Sequence, residues 1–192
     1  RMGGDRMSSD RGSGMMGSMG SMGSMGSMGV ESEREFLSEM IPHHQEAIDS
    51  AKILKRGTSR EEMREFADDI ITTQQAELDS MTQWLDEWYE DAEPSTDYTP
   101  MMRSDLGELS GDDLDRAFLE DMTMHHMMAV HMSRSLIGQN LARHDEVADL
   151  AKSIESTQRS EIRQMHEWLR AWFPDARGGG MMRGMGGGGV WS

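Results

Sequence analysis

Residues 36–54 read FLSEMIPHHQEAIDSAKIL, and residues 118–136 read FLEDMTMHHMMAVHMSRSL. Set side by side, they share Phe36-Leu37 with Phe118-Leu119, Met40 with Met122, His43-His44 with His125-His126, and Ala47 with Ala129. In the first stretch Leu37, Met40, His44, Ala47, Ala51 and Leu54 recur every three or four residues, which is the period of one helix face and not of a strand. The chain is therefore built around two helices of one pattern, each with one histidine on its core stripe (His44, His126) and one beside it (His43, His125).

Outward from the first stretch, Gly57 supplies a helix stop, and Ser59 with Glu62 reads as a capping box. Met63, Ala67, Ile70, Gln74, Glu77, Met81, Trp84 and Trp88 then follow at alternating spacings of four and three, which predicts a long second helix. Pro94, Pro100, Gly107 and Gly111 mark a linker. A third helix is expected from about Asp113 to Gly138, and a fourth from about Asp145 to Phe173, ending before Pro174. The fourth repeats the second: Thr157, Gln158, Glu161, Met165, Trp168, Leu169 and Trp172 answer Thr73, Gln74, Glu77, Met81, Trp84, Leu85 and Trp88. The chain divides into a tail (1–30), a first hairpin (31–91), a linker (92–112), a second hairpin (113–175) and a tail (176–192). Two duplicated hairpins with short internal turns predict an all-α, antiparallel four-helix bundle.

Methionine is the compositional outlier, with 22 copies beside 4 Phe and 2 Tyr. Cysteine is absent, which excludes disulfides, thiolate zinc sites, iron–sulfur clusters and a cysteine nucleophile, so any soft metal must be held by thioethers. A formal net charge of −16 repels nucleic acid and anionic lipid and favours cations. No apolar run is long enough for membrane insertion. The first residue is Arg1, and no charged-then-apolar leader precedes it, as in a processed export product, so a periplasmic or extracellular location is expected.

Residues 1–29 are mostly Gly, Ser and Met, with Met16, Met19, Met22, Met25 and Met28 at every third position; residues 178–189 repeat the theme with Met181, Met182 and Met185. Such segments cannot bury a core, and disordered methionine-rich tails are expected. Thioethers are neutral, soft ligands that suit Cu(I) and Ag(I) and have little affinity for Mg, Ca or Mn.

Inside the bundle, Met40 stands three and four residues before His43 and His44, so sulfur and imidazole share a helix face, and Met122 stands likewise before His125 and His126. The partner helices put Gln74, Glu77 and Met81, and Gln158, Glu161 and Met165, on their core stripes. A buried carboxylate is costly unless paired. It either satisfies a histidine in a purely structural polar layer or takes part in a metal site. Recurrence of the whole set in both hairpins favours the metal. On the third helix Met124, Met128 and His131 share a face, either as a further site or as a soft packing stripe. The candidate ligands are thus Met40, His43, His44, Glu77 and Met81 in the first half, and Met122, His125, His126, Met128, His131, Glu161 and Met165 in the second. His144 and His166 lack such neighbours and are expected at the surface.

Met-Ile-Pro-His-His-Gln-Glu-Ala-Ile at 40–48, together with the Thr-Gln-x-x-Glu and Met-x-x-Trp-Leu helices, resembles the family catalogued as domain of unknown function 305, which includes CopM-like copper-resistance proteins. The resemblance covers about residues 33–173. It implies a ferritin-like bundle, export, and copper or silver binding through Met and His, with other copper-handling proteins as partners. The second half departs from the pattern, with Met124 in place of Pro42 and Met127-Met128 in place of Gln45-Glu46.

The enzymatic alternative is a di-iron carboxylate oxidase using Glu39, Glu77, Asp121 and Glu161 with His43 and His125. The usual motif places Glu three residues before His, whereas here the acid lies four before. A haem bundle with Met and His axial ligands has no covalent attachment motif and nothing in the sequence selects it, and a pure interaction module would leave the methionine tails unexplained. No nucleophile–base pair, phosphate loop or oxyanion motif appears, so the chain reads as a binder and not an enzyme.

Overall fold

The computed structural model describes residues 29–174. The expected tails lie outside this range, apart from Gly29 and Val30 of the first. Four α-helices account for most of it: α1 (Glu33–Gly57), α2 (Glu61–Trp88), α3 (Gly111–Gly138) and α4 (Asp145–Trp172), with one 3-10 turn at Leu106–Glu108. α1 packs on α2 and α3 on α4, as two hairpins, and the hairpins meet chiefly through α1 and α3. The all-α bundle of two hairpins predicted from the repeat is the observed architecture. No described helix is long and apolar enough to cross a membrane.

α1 begins earlier than its apolar stripe suggests. Ser32 is its N-cap, with its hydroxyl accepting from the Glu35 amide at 3.1 Å. The capping box read at Ser59 and Glu62 does not form. Arg60 is the N-cap of α2 and makes no side-chain capping bond, while its amide donates to the Thr58 hydroxyl at 3.1 Å. Arg60 is used elsewhere: its guanidinium reaches Asp112 at 2.5 Å and the buried Asp115 at 2.8 Å, and lies over the ring of Trp172 at 4.8 Å. One side chain thus joins the start of α2 to the start of α3 and the end of α4. Gly57 ends α1 where Leu114 approaches so closely that a Cβ would meet its side chain at 2.4 Å.

The linker is part of the fold. Pro42 sits inside α1 and has no N–H, which leaves the Ser38 carbonyl without its helical donor. The amide of Ser95 fills the gap at 2.9 Å, and the Ser38 hydroxyl donates to the Glu93 carbonyl at 2.7 Å. Met102 and Leu106 are buried, so the linker also contributes apolar surface to the core.

Two apolar clusters fill the bundle. One gathers Ala47, Leu54, Phe66, Ile70, Phe118 and Met165 at one end, and the other gathers Phe36, Leu37, Met81, Leu136, Val147 and Ile154 at the opposite end. Between them every helix contributes a polar layer: His43 and His44 from α1, Gln74 from α2, His125 and His126 from α3, and Gln158 from α4, all buried.

Candidate metal site

The layer follows from the repeat. Antiparallel packing sets the middle of α1 against the middle of α2, so His44 meets Glu77, and its duplicate His126 meets Glu161. The His44 Nε2 lies 2.9 Å from Glu77 Oε2, and the His126 Nε2 lies 2.7 Å from Glu161 Oε2. One turn away on the same pair of helices, Met40 and Met81 are fully buried in one apolar cluster. Met122 and Met165 repeat this in the other, where the Thr123 hydroxyl sits 3.9 Å from the Met165 sulfur.

The two halves join through His43 and His125, which meet across the α1–α3 seam with ring centroids 3.6 Å apart and planes tilted by 34°. His43 Nε2 donates to the His125 carbonyl at 3.0 Å. Adjacent rings continue on either side, with His44 6.1 Å from His43 and His126 6.2 Å from His125, so four imidazoles form a file across the bundle. The two histidines expected beside the core stripe are as buried as the two expected on it.

The hydrogen bonding decides what these rings can do. Where Nε2 donates to a carboxylate or a carbonyl, which can only accept, as in His43, His44 and His126, Nδ1 is the ring nitrogen left to face another group. Nδ1 of His43, His44, His125 and His126 is buried in every case and has no hydrogen-bond partner in the protein. The amide groups of Gln74 and Gln158 are also unpartnered. Each such group costs about 1–3 kcal/mol to bury. The layer is thus a set of buried polar atoms without protein partners, and an oxygen acceptor holding the far nitrogen, as in His44 and His126, is the usual support of a metal-ligating histidine.

Glu46, absent from the candidates chosen from sequence, organises the middle of the file. It accepts from the Tyr98 hydroxyl and from the amides of Met101 and Met102 at 3.0 Å, and lies 3.3 Å from His125 Nε2 without hydrogen-bond alignment. Burial alone would raise its pKa. The adjacent His125 ring, together with hydrogen bonds from Tyr98 and the two amides, outweighs burial and holds it at about 2. Burial also pushes the Tyr98 hydroxyl up. His43 falls well below the ordinary histidine range, first through burial and then through the neighbouring imidazoles; burial takes His125 down to about 4. Both rings are therefore neutral at pH 7, the form that ligates metal. The sequence signal for Glu46 was the asymmetry of the repeat, since Met128 stands at its duplicate position.

The remaining candidates lie apart from the file. Met128 is half-buried against the second cluster, and His131 is exposed, as are Met124 (57%) and Met127 (48%). His144, expected at the surface, keeps a third of its side chain exposed but is held by partners. It caps α4, stacks on Trp88 with centroids 3.8 Å apart, and places Nδ1 2.6 Å from the buried Glu33. His166 is half-buried. Asp121, which a di-iron centre would require, is taken by Arg103 at 2.8 Å. Among the described residues no three His, Asp or Glu side chains converge as a metal site. Any third ligand in the layer must therefore come from elsewhere, and methionine is the soft donor beside it.

The family model described as domain of unknown function (DUF305) matches residues 3–85, 33–169 and 115–189. Among solved structures, the Cu(I)-bound form of CopM is 30% identical, with a TM-score of 0.67 over 74% of this chain and 98% of that one. The Ag-bound form of CopM is 31% identical, with a TM-score of 0.65 over 73% and 96%. A DUF305 protein of Streptomyces coelicolor, provisionally described as secreted, is 32% identical, with a TM-score of 0.62 over 71% and 89%. A stretch of 55 residues is 38% identical to an uncharacterised protein of Acanthamoeba polyphaga mimivirus and spans 29% of this chain and 36% of that relative.

Proposed function

This chain belongs to the DUF305 family, and from that premise we propose that it is an exported protein that sequesters or buffers copper, as Cu(I) with Ag(I) as an alternative guest, through histidine and methionine. The observation that carries the reading is the set of four buried imidazoles whose Nδ1 atoms have no partner. Met40 and Met122, one helical turn from His44 and His126, and Met81 and Met165, one turn from Glu77 and Glu161, supply the soft donors that suit Cu(I) better than the harder divalent ions. The proposed ligands in each half are His44 with Met40 and Met81, and His126 with Met122 and Met165. Glu77 and Glu161 hold the far nitrogens, and His43 and His125 bridge the halves. CopM has been crystallised with Cu(I), Cu(II) and Ag, which supports copper as the guest here. The protein acts by binding, without turnover.

The test is an anaerobic titration of the full chain with Cu(I), Zn(II) and Fe(II), followed by desalting and elemental analysis. Retention of Cu(I) over the other two, with a reduced capacity in His44→Gln/His126→Gln, is expected. Retention of two irons per chain with oxygen-dependent ferrous oxidation would replace this reading by the di-iron one.

A further inference from the structure

The file of imidazoles has a door. A cleft of about 380 Å³ opens between the linker and the α1–α3 seam, and Glu39, His43, Asp97, Met101, Met128 and Met132 are among its lining residues. Three thioethers from two separate segments meet there, Met101 from the linker and Met128 and Met132 from α3. The inner residue is His43, 1% exposed, with Nε2 committed to the His125 carbonyl and Nδ1 buried and unpartnered. Tyr98 stands edge-on to the same ring at 6.1 Å.

Each component has a bland role on its own, since methionine fills irregular gaps and buried histidines often serve structure. The combination is harder to explain that way. A core-filling stripe does not need an open cleft beside it, and an apolar cleft gains nothing from an unsatisfied imidazole lining it. Two carboxylates, Glu39 and the exposed Asp97, also line the cleft, and a negative cleft draws cations from solution. Uncharged sulfur donors deeper in select soft ions from those drawn. The cleft is also asymmetric in the repeat. Met128 contributes to it where the first half carries Glu46, and Glu46 instead fastens the linker that brings Met101 to the site.

We propose that this cleft is a capture site for a soft monovalent cation, Cu(I) or Ag(I), with Met101, Met128, Met132 and His43 Nδ1 as its ligands, through which the ion enters the buried layer. Entry at His43 places the ion at the middle of the file, 3.6 Å between centroids from His125 and one ring from His44. Both halves are then supplied from one opening. The proposal extends the copper-binding reading and rests on it for the final destination of the ion, but not for the cleft's own ligands.

The experiment is a titration of the full chain, labelled with 13C-methyl methionine, with Ag(I) as an air-stable probe and individual methyl signals followed by NMR. The signals of Met101, Met128 and Met132 are expected to move before those of Met40, Met81, Met122 and Met165. Met101→Leu/Met128→Leu conserves side-chain volume, and it is expected to slow the response of the buried methionines roughly tenfold or more, the scale on which even supporting contacts register at metal sites. Met101→Leu alone lies outside the helices and should slow it in the same direction if the double variant folds poorly. Cleft methyl signals that stay still throughout, or buried signals that respond as fast in the variants as in the parent, overturn the proposal. If the cleft signals move and the buried ones never do, the cleft stands and the copper layer of the preceding section fails.

Discussion

Replacing Glu77 by Gln tests the layer at its supporting contact and not at a ligand. The carboxylate lies 2.9 Å from His44 Nε2, its side chain is 11% exposed, and the ring it holds is fully buried. Gln keeps the shape and one acceptor oxygen, so the metal-free protein exchanges a charge-assisted hydrogen bond for a neutral one. These are worth about 1.5–3 and about 0.5–1.5 kcal/mol, which predicts a loss of roughly 1 kcal/mol in urea unfolding of the apo-protein. If Nδ1 of His44 ligates metal, the carboxylate also raises the basicity of the donor. Removing such a partner typically costs 10–100-fold in affinity, or about 1.4–2.7 kcal/mol. Competition of the variant against a Cu(I) chelator should show that larger loss, and Glu161→Gln should match it through the 2.7 Å contact to His126. Should apo stability fall by about 1 kcal/mol while Cu(I) affinity stays within roughly threefold of the parent, Glu77 and His44 form a structural pair and the ligand assignment fails.

Acid should destabilise the metal-free bundle in two stages. His43 and His125 have folded pKa values below the unfolded value of about 6.5, so the stability present above that pH is lost as pH falls, for His125 down to about 4, by up to ~1.4 kcal/mol per pH unit for each ring. Glu46, held at about 2, continues the loss below the ordinary carboxylate value; denaturant unfolding between pH 7.5 and 4.5 should show the first stage flattened in His125→Gln, and an unchanged slope there would refute the burial argument. Glu33→Ala leaves the Tyr89 hydroxyl, the Arg143 amide and two His144 groups without their shared acceptor, and is expected to cost about 3–5 kcal/mol by thermal or urea unfolding. Deleting residues 1–28 should leave the helical circular dichroism and melting cooperativity unchanged while lowering Cu(I) capacity; equal capacity by elemental analysis would make that segment a spacer.

Much of this architecture was legible because duplication printed it twice. The spacing of apolar residues located α2 and α4 to within a few residues, and it set His44 opposite Glu77 without any coordinates. Other features depend on contacts between segments far apart in the chain, which periodicity does not register. The capping signal at Ser59 loses to Thr58 and to the pull of Asp112 and Asp115 on Arg60, and the cap at Ser32 with Glu35 precedes the apolar stripe, where periodicity gives no sign of it. Pro42 did carry readable information, since a proline inside a helix leaves a carbonyl that something must satisfy, although only the fold shows that Ser95 does so. His144 looked isolated because its partners, Glu33 and Trp88, stand at the far ends of other helices. Glu46 was visible only as a break in the repeat, and its role emerged once the linker was seen lying across α1.

The principal contact between the hairpins is the α1–α3 seam, and the rings of His43 and His125 meet across it. Each hairpin already has its own internal packing, so the seam decides whether the chain unfolds as one unit or as two. An ion bound between those rings would tie one half to the other and bind only while both are folded. Loading would then sharpen the transition as well as raise its midpoint, and the denaturant m-value would rise from that of a hairpin towards that of the whole bundle.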